Sequence, residues 1–126
     1  MSAPAVRTLW GLALSLLVAS PALAARTAVQ EVPCESGPGL LLARDDTVSA
    51  CRLTAAVDML VGQAAGNPKV LCAAGSQVEF HRSGYLSFCK TSAATAPYLT
   101  RSGRTTQCRA GARVAFDENG FLEYCS

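Results

Sequence analysis

Six cysteines and a single histidine are the residues of this 126-residue chain best suited to chemistry. Their spacing points to crosslinking rather than catalysis. Thiolate coordination of zinc needs ligands a few residues apart, as in C-x-x-C. Here the nearest cysteines are seventeen positions apart, so no metal site is expected. A hydrolase built on Ser-His-Asp or Cys-His would have to use His81 as its base. His81 aligns with Asp117 and Ala43 in an internal repeat, at a turn position expected to face solvent. The paired carboxylates Asp45-Asp46 and Asp117-Glu118 fall at the same kind of turn, where acidic residues are ordinary turn formers. No G-x-x-x-x-G-K-[ST] stretch is present to cradle a phosphate. No catalytic residue and no cofactor is therefore assigned, and the chain is read as a non-enzyme.

The cysteines mark a threefold repeat. Cys34 and Cys51, Cys72 and Cys89, and Cys108 and Cys125 are each separated by sixteen residues, and equal intervals are the signature of a tandem unit. Residues 72–89 (CAAGSQVEFHRSGYLSFC) and 108–125 (CRAGARVAFDENGFLEYC) share eight of eighteen positions. Residues 34–51 (CESGPGLLLARDDTVSAC) form a faded copy, with Asp46 where the later copies have a turn glycine.

Each copy reads as a β-hairpin. Val78 and Phe80 alternate with polar neighbours, residues 82–84 turn the chain, and Leu86 and Phe88 return. Gly84 and Gly120 close the hairpin turns, while Gly75 and Gly111 mark an earlier turn that a short strand should precede. Simple alternation places Phe80 opposite Leu86, Val78 opposite Phe88 and Glu79 opposite Ser87. The expected core is Leu40, Leu42 and Val48 in the first copy, Val78, Phe80, Leu86 and Phe88 in the second, and Val114, Phe116, Leu122 and Tyr124 in the third. A lone hairpin cannot bury such a face. The expected fold is all-β: three tandem disulfide-linked hairpins (34–51, 72–89, 108–125) forming an antiparallel meander over residues 34–126. Residues 25–33 serve as a lead-in. Short strands are also expected near 59–61 and 98–100, with one or two helical turns over 55–61 as the alternative there.

Equal spacing favours a disulfide within each copy. Strand geometry objects, because a preceding strand laid beside the hairpin would put Cys72 and Cys89 two strand spacings, roughly 9.5 Å, apart, and a disulfide needs Cα atoms within about 7 Å. Either residues 73–76 curl over the hairpin end, or the bonds join successive copies as Cys51–Cys72 and Cys89–Cys108. The within-copy scheme is preferred among the fifteen connectivities that six cysteines allow.

The phrase V-x-F-x-x-x-G-[YF]-L at residues 78–86 and 114–122 resembles the aromatic-x-x-x-Gly hairpin of MORN-type repeats, in particular the variant of bacterial YwqK-like proteins. The chain departs from that pattern in its flanking cysteines and in lacking the second glycine-rich half of the unit. The resemblance implies a β-repeat scaffold for binding or assembly and carries no catalytic residue.

Residues 1–24 read as a cleaved signal peptide: Arg7, an apolar run over 9–19, a break at Ser20-Pro21, and an A-x-A site ending at Ala24. The run is too short for a membrane-spanning helix, and no other follows it, so no integral span is expected after cleavage. Export to an oxidising compartment, periplasmic or secreted in a bacterium, suits an even cysteine count. With 11 Lys+Arg against 9 Asp+Glu, nothing supports attachment to nucleic acid.

The resulting expectation is an exported, non-catalytic binding or structural protein whose partner is a protein or another component of the cell envelope. A disulfide-rich inhibitor or toxin-like effector is the first rival, and a small hydrolase or redox protein the second. The candidate binding surface is Tyr85, Phe121, His81 and Arg82, aromatics and charges on the side away from the apolar stripe.

Overall fold

The computed structural model describes residues 22–126. The signal peptide expected over 1–24 lies outside the described residues, except that residues 22–24 belong to the first strand. Among the described residues there are twelve strands and no helix. They are β1 (Ala22–Arg26), β2 (Glu31–Glu35), β3 (Leu41–Leu42), β4 (Val48–Arg52), β5 (Val57–Met59), β6 (Val70–Cys72), β7 (Gln77–Phe80), β8 (Leu86–Lys90), β9 (Pro97–Leu99), β10 (Thr105–Gln107), β11 (Arg113–Phe116) and β12 (Leu122–Cys125). Each repeat supplies four of them. Its first two form a separate two-stranded ribbon (β1–β2, β5–β6, β9–β10), and its last two form a hairpin. The three hairpins lie side by side in one antiparallel sheet of order β12-β11-β8-β7-β4-β3, the meander expected of three tandem hairpins.

The ribbons extend the unit beyond the two-cysteine copies. Residues 25–33, expected as a lead-in, contain most of the first ribbon. Residues 57–59 pair with 70–72 as strands, so the helical alternative over 55–61 is not what forms. Isolated ribbons of this length are unstable in water, and these persist by delivering apolar side chains to the sheet. Val32, Met59, Val70 and Tyr98 from the ribbons are buried together with Val78, Leu86, Val114 and Phe116. The Tyr98 ring meets Phe116 edge-on at 5.3 Å, a favoured aromatic geometry. Its hydroxyl donates to the Lys69 carbonyl at 2.9 Å, and burial, helped by Asp58, pushes the phenol up to about 12.

All three hairpins use one turn geometry. The N–H of Ala43, His81 or Asp117 donates to the carbonyl four residues on, and the residue before that carbonyl's own residue returns a bond from its N–H. That residue is Asp46, Gly84 or Gly120, and it needs positive φ: 66°, 95° and 88° respectively. Asp tolerates the left-handed region better than most residues but still costs about 1 kcal/mol there relative to glycine. Asp46→Gly is therefore expected to stabilise the chain by about 1 kcal/mol, read as a rise in melting temperature. No rise would refute the strain.

One residue of each returning strand, Ser49, Ser87 or Glu123, is skipped in the pairing. This bulge shifts every position beyond it. Phe80 does face Leu86, but Glu79 faces Phe88, not Ser87, and Val78 is not opposite Phe88. Two residues expected in the core are consequently on the other face, and a third is exposed for a different reason. Phe88 is half-buried on the outer face, and Tyr124, its counterpart in the third copy, is 49% exposed. Leu42 points inward like Phe80 and Phe116 but is 53% exposed, because its hairpin is the first and no described hairpin precedes it. Leu40 is partly buried against the core, and Val48, Val78, Phe80, Leu86, Val114, Phe116 and Leu122 lie within it.

The disulfides are Cys34–Cys51, Cys72–Cys89 and Cys108–Cys125, with Cα atoms 5.6, 5.8 and 5.9 Å apart. The within-copy scheme holds because the strand before each hairpin never joins the sheet beside it. That strand pairs in its ribbon and crosses the end of the hairpin's returning strand, with Cys34 bridging Leu53 and Cys72 bridging Thr91. Gly75 and Gly111, at φ 76° and 78°, reverse the chain in between.

Candidate functional site

One face of the sheet is covered by the ribbons, and the other is left open. Cross-strand partners share a face, so the register traces a row on the open side: Leu41, Ala50, Glu79, Phe88, Ala115 and Tyr124, one from each strand from β3 to β12. Five of the six are apolar. Two positions along the strands, and therefore on the same side, Arg52 stands opposite Gln77 and Lys90 opposite Arg113. Arg52 donates to the Gly75 carbonyl at 2.9 Å. Lys90 and Arg113 are exposed, and neither makes an ion pair among the described residues. The bulges create this surface: they move Phe88 and Tyr124 outward while their neighbours Cys89 and Cys125 point inward.

The surface residues expected from the sequence are divided between other places. His81 and Arg82 line a cleft of about 530 Å³ between the turns of hairpins 1 and 2, together with Thr27, Arg44, Asp45 and Thr47. His81 is half-buried, and its Nε2 lies 2.8 Å from the Phe116 carbonyl. A carbonyl can only accept, so Nε2 carries the proton, and the ring tethers hairpin 2 to hairpin 3. The Thr47 hydroxyl and N–H both donate to Asp45 and, with Arg82 nearby, hold its carboxyl below the usual range. Phe121 is half-buried beneath the Arg101 guanidinium, 5.4 Å from its ring centroid. Arg101 also pairs with Asp117 at 2.8 Å. Burial raises the Asp117 carboxyl, but donors from Phe121, Arg101 and Asn119 outweigh that and leave it lowered. Tyr85 is half-buried and does not line the cleft.

Two residues that sequence reasoning missed hold the ribbons in order. The Gln30 side-chain amide donates to the carbonyls of Leu60 and Gly84 and accepts from the Leu60 N–H. Asn67 repeats the pattern one unit later, donating to Leu99 and Gly120 and accepting from the Leu99 N–H. Each amide thus ties its own ribbon to the next ribbon and to the next hairpin's turn. Their numbering relative to the cysteines differs by one position, which hid the correspondence from a cysteine-anchored alignment.

Among the described residues, no group of three or more His, Cys, Asp or Glu could hold a metal ion, and no cysteine is free. Protein-family models, curated proteins and solved structures all give no match to the chain, so the site is read from its own geometry.

Proposed function

We propose that the chain is an exported, non-catalytic binding module that takes an acidic protein partner of the cell envelope on its open sheet face. The supporting observation is an apolar row, exposed at Leu41 and Tyr124, half-buried at Phe88 and Ala115 and buried at Ala50, beside a parallel row of cations, two of them without an ionic partner among the described residues. Apolar contact supplies affinity, and unpaired cations supply orientation and association rate. Six oxidised cysteines suit an exported protein. Among the described residues no helix is long and apolar enough to cross a membrane. Cleavage after Ala24 would leave Ala25 and Arg26 of β1 still paired with Val32 and Glu31. The scaffold role implied by the resemblance to MORN-type repeats agrees with this reading.

Capture from the native envelope fraction tests it. The wild-type protein should retain a partner that Lys90→Glu with Arg113→Glu loses by about 100-fold in affinity, since each reversed charge at an interface costs on the order of 1 to 2 kcal/mol. Retention should also weaken as salt rises. Unchanged capture by the doubly reversed variant would remove the open face from the proposal, and adsorption of vesicles containing anionic lipid in place of a protein would replace the class of partner.

A further inference from the structure

The repeat provides its own template for what belongs at the two ends of the sheet. Hairpin 1 meets hairpin 2 through β4 and β7, with Ala50, Cys51 and Arg52 opposite Glu79, Val78 and Gln77. Hairpin 2 meets hairpin 3 through β8 and β11, with Phe88, Cys89 and Lys90 opposite Ala115, Val114 and Arg113. Both junctions have the same register when counted from the second cysteine of a copy. Continued once more, that register sets Tyr124 and Cys125 of β12, with Ser126 just after it, opposite the positions filled by Leu41, Leu40 and Gly39. Leu41 opens β3, the two-residue strand at the other edge of the sheet, and Gly39 and Leu40 lead into it.

The exposed large apolar residues fall where this register needs them. Leu41 (54%), Leu42 (53%) and Tyr124 (49%) are the most exposed large hydrophobic side chains among the described residues, and all three are on the edge strands. Edge strands usually carry devices that prevent pairing. Pro38 precedes β3, but its counterpart Ser76 spends its N–H inside its own turn, on Ala73, so the proline removes no donor from a junction.

A second, independent correspondence lies in the ribbon layer. Gln30 and Asn67 bind the carbonyls of Gly84 and Gly120 in the following hairpin. In the third ribbon the turn is closed by Arg104, whose carbonyl accepts from Thr100 as that of Gln30 accepts from Thr27. Arg104 stands four residues before Cys108 and Gln30 four before Cys34. The turn position matching Gly84 and Gly120 in hairpin 1 is Asp46. At the two ends of the described array a guanidinium and a carboxylate replace that amide and glycine, and because a Cβ at Gly84 or Gly120 would meet the preceding ribbon's backbone, ribbon 3 must stand off from Asp46 by the reach of an ion pair. Neither Arg104 nor Asp46 makes an ion pair among the described residues.

We infer that copies of this chain join head to tail, β12 of one pairing with β3 of the next, Tyr124 covering Leu41 and Arg104 meeting Asp46. The contact is heterologous and open, so it propagates instead of closing as a symmetric dimer. It also continues the apolar and cationic rows of the open face from copy to copy.

Sedimentation of the oxidised full chain over a concentration series tests the inference. The wild type should show a weight-average mass that climbs past about twice the monomer as concentration approaches 1 mM. Leu41→Lys and Tyr124→Lys should each remain monomeric, because each destroys one end. An equimolar mixture of the two should give a dimer and nothing larger, because it contains one intact β12 and one intact β3. Circular dichroism and a free-thiol count of zero confirm that both variants are folded. Arg104→Asp should weaken association about tenfold, and adding Asp46→Arg to the same chain should restore it. A wild type that stays monomeric to about 1 mM, a single Lys variant that still dimerises, or a mixture that stays monomeric overturns the head-to-tail contact.

Discussion

Reduction of the three disulfides is expected to unfold the chain at room temperature. Each bond closes a loop with a sequence separation of 17, and a loop of this size restricts the unfolded chain by about 3 kcal/mol. Three such bonds contribute about 9 kcal/mol, against a net stability of about 5 to 15 kcal/mol for a small domain. The ribbons give a structural reason to expect no reserve. They are three to five residues long, and the cysteines at or beside their ends anchor them to the sheet. Far-ultraviolet circular dichroism with and without reductant measures the effect. A melting curve unchanged by reduction, with free thiols verified, would show that packing alone holds the repeats.

Gly120→Ala should be the most damaging single methyl addition in the molecule, costing about 3 kcal/mol or more. A Cβ on Gly120 would fall inside the Gly62 carbonyl, and one on Gly62 would lie 2.6 Å from the Gly120 nitrogen. Backbone meets backbone there, so no side chain can turn aside. The positive φ of Gly120 adds about 1 to 2 kcal/mol for any L-residue, and forced overpacking about 1 to 3 kcal/mol more. Gly75→Ala provides the control. Gly75 has a similar φ of 76° but nothing within 4 Å of the added carbon, so only the conformational cost of about 1 to 2 kcal/mol applies. Paired thermal or denaturant melts separate the two contributions. Equal losses at both positions would mean that the contact of ribbon 2 with hairpin 3 carries no stability.

Much of this architecture is legible in the residues themselves. The equal cysteine intervals lead to the three hairpins and to the disulfide pairing. The aligned glycines mark turns whose φ is positive in the structure. What escaped reading depends on single-residue shifts. A bulge at Ser87 and Glu123 has no composition of its own, yet it moves Phe88 and Tyr124 from the apolar face to the open one. Leu42 has the same position in its copy as Phe80 and Phe116, and its exposure comes from lying on the edge strand with no described hairpin beside it, a property of order and not of residue type. Gln30 and Asn67 are polar residues in short loops, where nothing local distinguishes a structural amide from a solvated one. The open face could be found only after the bulges were placed, because simple alternation assigns its two aromatic residues, Phe88 and Tyr124, to the core.

The three disulfides follow one another along the chain without crossing or enclosing one another. In a polypeptide delivered amino-terminus first, each bond can therefore form as soon as its own eighteen-residue segment has emerged, before the next pair of thiols becomes available. Order of arrival then favours the native connectivity wherever oxidation keeps pace with delivery.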